Sequence, residues 1–109
     1  METAVLTLRN AEEFKRVYER GAKQLSRSFV VFAFPNGRNE SRYGLTTPRK
    51  LGKAHERNRI KRRVREIVRG SEKGLPAGVD WVINPRRSAL ERSFSDIQAE
   101  LLGLMGVAK

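Results

Sequence analysis

Residues 53–70 read KAHERNRIKRRVREIVRG, and this stretch decides how the chain folds. At 100° per residue, Ile60, Val64, Ile67 and Val68 fall on one helical face within an arc of about 100°. Asn58, Arg62 and Arg69 lie nearly opposite. Lys61 and Arg65 take one flank, Arg59 and Arg63 the other. The spacing predicts a helix over roughly 56–69, ended by Gly70. It pins itself to a small sheet by a thin aliphatic seam and turns a wide cationic face outward.

Charge is concentrated in the same region. Residues 49–69 carry ten basic side chains, including Arg49, Lys50 and Lys53, against Glu56 and Glu66, a net +8 out of the chain's +11. A block of this kind attracts polyanions by releasing the counterions condensed on a phosphate backbone. Arg outnumbers Lys sixteen to seven, and its planar fork donates in pairs to phosphates and base edges. A face meant only for solubility would mix both signs. A membrane-surface helix would carry bulkier apolar anchors than Ile and Val.

Outward from the basic helix, the rest reads as one domain over residues 1–109. Asn10 and Glu13 form a capping box, Ala11, Phe14, Val17 and Tyr18 recur at helical spacing, and Gly21 stops a first helix at about 11–20. Residues 22–25 suit a short strand. Phe29–Phe34 is β-branched and aromatic throughout, hence a strand. An Asn-Gly connector leads to a strand over Arg42–Thr47, expected antiparallel to the one before it, and Pro48 ends it. Asp80–Asn84 is the last strand, closed by Pro85, and the helix between these two strands suits a parallel pair. Ser93 and Asp96 cap a final helix with Phe94, Ile97, Leu101, Leu104 and Met105 on its buried stripe. The order is αβββαβα, an α+β sandwich.

The inventory of reactive groups is short. There is no cysteine, so thiol catalysis, thiolate metal sites and disulfides are excluded. Asp80 and Asp96 are the only aspartates and sit in different elements, which is no two-metal nuclease arrangement. The lone His55 suits an RNA contact, a helix-end hydrogen bond or a plain surface role better than a general base. No P-loop, HExxH or GxSxG occurs. The apolar runs Phe29–Pro35 and Leu101–Ala108 are far short of the ~20 residues that span a bilayer. No signal peptide is visible, and a soluble, cytoplasmic protein with no membrane partner is expected.

The run Lys53–Glu66, KAHERNRIKRRVRE, resembles the Arg-Asn-Arg signature of the bacterial ribonuclease P protein subunit family. EEFKRVYERG, FVVFAFPNG, SRYGLTTPRKLGKA and LPAGVDWVINPRR resemble that family's first helix, second strand, third strand with its following loop, and approach to the fourth strand. The similarity covers roughly residues 8–105. It implies a two-layer αβββαβα sandwich with a four-stranded sheet and a left-handed β-α-β crossover, against the usual right-handed rule. It also implies a protein subunit of an RNA enzyme that removes the 5′ leader of precursor tRNA. Mg²⁺ would be bound mainly by the RNA, with none held by protein side chains and no catalytic side chain in the protein.

By the same resemblance, Arg57, Asn58, Arg59, Lys61, Arg62 and Arg65 face the catalytic RNA, with Arg49, Lys50 and Lys53 beside them. Phe14, Tyr18 and Phe32 line a cleft for the single-stranded leader, toward which Lys61 and Arg65 reach. Core packing is the competing role for all three aromatics. Strand alternation makes a test of it: if Phe32 lines the cleft, Phe29 and Val31 are deep core. Pro48 stands where the family usually has a small polar residue, and Phe32 where a tyrosine is common. The rival classes are a ribosomal RNA-binding protein, which would co-purify with ribosomal subunits, and a DNA-binding helix module. The second lacks a helix–turn–helix partner because Arg42–Pro48 reads as strand, so no DNA partner is expected. A protein-only nuclease would cleave RNA unaided, and the carboxylate inventory opposes it.

Overall fold

The computed structural model describes residues 5–107, so Ala108, at the end of the last apolar run, lies outside the described residues. In chain order the elements are β1 Val5–Thr7, α1 Ala11–Arg20, β2 Ala22–Leu25, β3 Phe29–Pro35 and β4 Ser41–Leu45. α2 Ala54–Gly70, β5 Val79–Pro85, α3 Ser88–Glu91 and α4 Phe94–Leu104 follow. The α+β class and the expected helices are present. The sheet has five strands rather than four, because Val5–Thr7 adds a parallel edge strand beside β4. A short α3 also precedes the last helix. No helix among the described residues is long and apolar enough to cross a membrane.

The strand order is β1-β4-β5-β3-β2. β4 and β5 are parallel neighbours joined through α2, as the intervening helix suggested. β3 and β4 run in opposite directions but do not pair; β5 lies between them, antiparallel to β3 from Phe29↔Pro85 to Pro35↔Val79. β5 is buried on both faces, and a strand so placed is apolar on both. Trp81 and Ile83 point to one side and Val82 to the other, and all three are buried.

These two faces carry two cores. On one, Phe29, Val31, Trp81 and Ile83 meet Ile60, Val64, Ile67 and Val68 of α2 and Ile97 and Leu101 of α4. On the other, Leu8, Val17 and Val82 pack with Phe14, Phe32 and Phe34. The sheet is therefore clad by α1 on one side and by α2 and α4 on the other, one partial layer more than a two-layer sandwich. The α2 seam is 0–1% exposed, and burying an aliphatic side chain of this size is worth about 1.5–3 kcal/mol.

Local chemistry fixes the helix ends. Asn10 accepts from the Glu13 backbone N–H at 3.0 Å while Glu13 accepts from the Asn10 N–H at 3.2 Å. Ser93 accepts from the Asp96 N–H at 3.1 Å. Gly21 ends α1 with ordinary extended backbone, φ −78°, and no left-handed turn. Glycine is needed there for a close approach: a Cβ would lie 2.5 Å from the Val17 carbonyl oxygen and 3.0 Å from that of Ala33.

Two ionic clusters tie the layers together. Arg42 forks onto Asp80, Nε to Oδ1 at 2.9 Å and Nη2 to Oδ2 at 2.6 Å, and its Nη1 donates to Glu13 of α1. At the other end, Glu100 of α4 accepts from the Ser28 N–H at 2.6 Å, from the Ser26 hydroxyl and from Arg92. Burial, the largest single influence, raises the Glu100 pKa, but these donors together bring it below the ordinary carboxylate value.

Candidate nucleic-acid interface

The sequence-predicted residues separate into two surfaces on opposite sides of the sheet. The first is α2 with the segment leading into it. Leu51 is buried and anchors a 3-10 turn over Arg49–Leu51, leaving Arg49, Lys50 and Lys53 exposed. Asn58, Arg59, Arg62 and Arg65 are also exposed, and Arg57 and Lys61 are partly so. Asn58, Lys61, Arg62, Arg65, Glu66 and Arg69 line a shallow concavity of about 390 Å³. Among the described residues, no ion pair joins Arg59, Lys61, Arg62 or Arg65 to a carboxylate; Glu13, Asp80, Glu56 and Glu100 are paired instead with Arg42, Arg87 and Arg92. The Arg57 Nε is buried without a hydrogen-bond partner among the described residues. Arg63 differs from its neighbours: its Nη1 donates to the carbonyls of Ala89, at 3.2 Å, and Arg92, at 2.9 Å. It belongs to the packing of α2 on α3 and not to the outward cationic face.

Cations near a helix N-terminus oppose the helix dipole, and α2, which opens Ala54-His55-Glu56, carries Arg57 and Arg59 within its first two turns. Glu56 offsets them. It accepts from the Lys53 N–H at 2.9 Å and is gripped by Arg87, Nη2 to Oε2 at 2.9 Å. Arg87 Nη1 also donates to the Leu51 carbonyl at 3.0 Å, which fixes the corner between the 3-10 turn and the helix. Its hydrogen bond, ahead of the Lys53 N–H, lowers the Glu56 carboxyl to about 2. Sequence spacing could not have found this partner, 31 positions away.

The second surface lies between α1 and the sheet. Phe29 and Val31 are deep core, 0% and 1% exposed, while Phe32 is half-buried on the other face. Tyr18 is 39% exposed, its ring edge-on to Phe32 at 4.8 Å and 79°. Lys23 of β2 stands 5.8 Å from the Phe32 ring centre. The Phe14 ring is partly buried and lies directly over Gly44, where a Cβ would come within 2.4 Å of it. Lys23 was not anticipated, and two further unanticipated residues complete the surface. The Asn84 side-chain oxygen accepts from the Tyr18 hydroxyl at 2.9 Å and from the Thr46 hydroxyl. The signal was available, since Asn84 and Thr46 are polar residues whose strand parity puts them on the Phe32 face. Lys61 and Arg65 are grouped with the α2 concavity and not with these aromatics.

An arginine-rich helix with free cations on one side of a sheet, and a partly exposed aromatic pair between α1 and the sheet on the other, define a polynucleotide-binding α+β protein. The sequence model described as Ribonuclease P matches residues 3–109. The ribonuclease P protein component of Streptococcus pneumoniae is 31% identical over 102 residues, covering 94% of this chain and 83% of the relative. The solved RNase P protein from Thermotoga maritima is 36% identical with a TM-score of 0.83, over 91% of this chain and 94% of that one. That of Staphylococcus aureus is 28% identical with a TM-score of 0.83, over 94% and 97%. The chain belongs to the ribonuclease P protein family. It is the protein component of the tRNA 5′-processing enzyme, a ribonucleoprotein whose RNA performs catalysis.

Proposed function

We propose that the two surfaces divide the work of the holoenzyme: α2 with Arg49, Lys50 and Lys53 holds the catalytic RNA, and the α1–sheet trough receives the single-stranded 5′ leader of precursor tRNA. The observation that carries this reading is the unpaired cationic face of α2. Arg59, Arg62 and Arg65 spend nothing on carboxylates, so their charge is available to phosphate, where each contact releases a counterion. Arg57, Asn58 and Lys61 flank them along the same helix. In the trough, Tyr18 and Phe32 offer ring surface on which unpaired bases stack, at ~1–3 kcal/mol per base, and Lys23 adds a charge for the leader backbone.

In this reading Mg²⁺ falls to the RNA. Glu13, Asp80, Glu56 and Glu100 are each committed to an arginine. Among the described residues no group of three or more His, Asp or Glu is placed to hold a metal ion, which supports assigning Mg²⁺ to the RNA. The reading carries a cytoplasmic location, with the RNA partners.

Reconstitution tests it: transcribed catalytic RNA and precursor tRNA at low Mg²⁺, with and without the protein. Arg62→Ala should weaken assembly and flatten its salt dependence by about one counterion. Tyr18→Ala should weaken binding of precursor tRNA and spare mature tRNA. An unchanged salt slope for the first, or equal losses on both tRNAs for the second, overturns the corresponding half.

A further inference from the structure

The polar groups in the trough have a defined orientation. An amide oxygen has two lone pairs, and in Asn84 both are taken, by the hydroxyls of Tyr18 and Thr46. Those hydroxyls come from separate segments, α1 and the residue that follows β4, and both fix the one amide oxygen. Each has spent its one proton, so each offers only lone pairs to anything further. The Asn84 nitrogen, with two N–H donors, has no partner among the described residues and is not sealed from solvent. Its side chain shares the sheet face of Val30, its register partner, and of Phe32. The trough thus holds a pair of amide donors next to two hydroxyl acceptors, beside the Tyr18–Phe32 aromatic pair.

We propose that Asn84 is a specificity-determining residue for the leader. Its amide donors read the edge of one unpaired base stacked at Tyr18 and Phe32. The selected base brings an acceptor to the amide nitrogen and can give a proton to a hydroxyl oxygen. Stacking is indifferent to base identity because every base has a π-face. Hydrogen bonds to the base edge supply the discrimination stacking lacks. This inference rests on the trough being the leader site. It adds that the trough distinguishes bases, and through which atom.

The test measures affinity of the reconstituted holoenzyme for precursor tRNAs carrying each of the four bases at successive leader positions. The wild-type protein should favour one base at one position by about three- to tenfold, the worth of one neutral hydrogen bond. Asn84→Asp keeps an oxygen for Tyr18 and Thr46 but replaces the donors with an acceptor, so the favoured base should change at that position. Tyr18→Phe keeps the ring, removes one of the two hydroxyls that orient the amide together with the acceptor it offers a base, and should flatten the ranking, as should Asn84→Leu. Rankings are ratios within one variant, so a general loss of affinity from the added aspartate charge cancels. If Tyr18→Ala loses precursor selectivity while Asn84→Asp and Asn84→Leu keep the wild-type ranking, Asn84 is no reader and the leader site stands. If Tyr18→Ala loses precursor and mature tRNA equally, the leader reading fails and takes this proposal with it. A wild-type protein without preference at every leader position also overturns it.

Discussion

Arg42→Met should be among the most damaging single substitutions in this chain, although Arg42 lies on neither polynucleotide-binding surface. Its side chain is 10% exposed and that of Asp80 2%, and two parallel hydrogen bonds join them. Methionine fills the stem's space and leaves the aspartate buried without its cation. Breaking a buried pair from one side costs about 3–5 kcal/mol. Asn36 still donates to Asp80 Oδ1 at 2.8 Å, which points to the lower end. A loss of about 3 kcal/mol is a large part of the ~5–15 kcal/mol that holds a domain of this size together. At ~4–8 °C per kcal/mol, Tm should fall by about 12–24 °C. The informative comparison is the double variant Arg42→Met/Asp80→Leu, followed by urea unfolding and calorimetry. Replacing both members of a buried pair by apolar groups is often neutral, so the double variant should recover most of the loss. Glu13 is closer to solvent and keeps the backbone N–H groups of Arg9 and Asn10. A double variant as unstable as Arg42→Met, or a single variant costing less than about 1 kcal/mol, would refute the orphaned-charge argument.

Gly44→Ala places a methyl group inside the Phe14 ring, 2.4 Å from Cζ, and should cost about 1–3 kcal/mol by overpacking; Phe14→Leu in the same chain should return part of it in a denaturant titration. Glu13 and Glu100 have lowered carboxyl pKa values and Glu56 sits at about 2, against an ordinary 4.5. The unfolded chain therefore takes up these protons first, and their contribution to stability is complete above about pH 4.5 and lost as pH falls toward 2. Urea midpoints from pH 7 to 2 should show that decline, and Glu56→Gln should flatten its most acidic part. Arg63→Ala should lower stability by roughly 1–2 kcal/mol, somewhat under a fully buried charged hydrogen bond, and leave the salt slope of catalytic-RNA binding alone. Its neighbour Arg62→Ala should do the reverse, as unfolding curves and salt titrations of the two variants will show.

What could be read from the sequence followed the strength of local periodicity. The α2 seam, the Asn10–Glu13 box, the Ser93 cap and the alternation along β3 each rest on residues a few positions apart, and each is present as read. Strand order was not legible. The Asn-Gly connector after β3 looks like a hairpin, and only the whole sheet reveals that β5 enters between β3 and β4. The run WVI in β5 did carry a trace of this, because a strand apolar on both faces belongs in the middle of a sheet. β1 is three residues long and lies beside a strand 36 positions away, too short for alternation to register. At the interface, the positions of the cations could be read, but not which of them are free. Arg63 and Arg65 look alike in sequence, yet one bonds carbonyls in and just after α3 and the other faces outward. The clamp of Arg87 on Glu56 and the Asn84 amide depend on contacts between distant segments, which spacing does not encode.

The alternation of β5 also acts as a ruler. Trp81 and Ile83 support the layer that carries α2, while Asp80, Val82 and Asn84 form part of the floor beneath α1. A slip of this strand by one residue would exchange the two sets. It would drive the indole out under α1 and force the Asn84 amide among the aliphatic side chains of α2. Both surfaces would be lost together, so in the proposed division of labour the span between the grip on the catalytic RNA and the contact with the leader is set by the pleat of a single central strand.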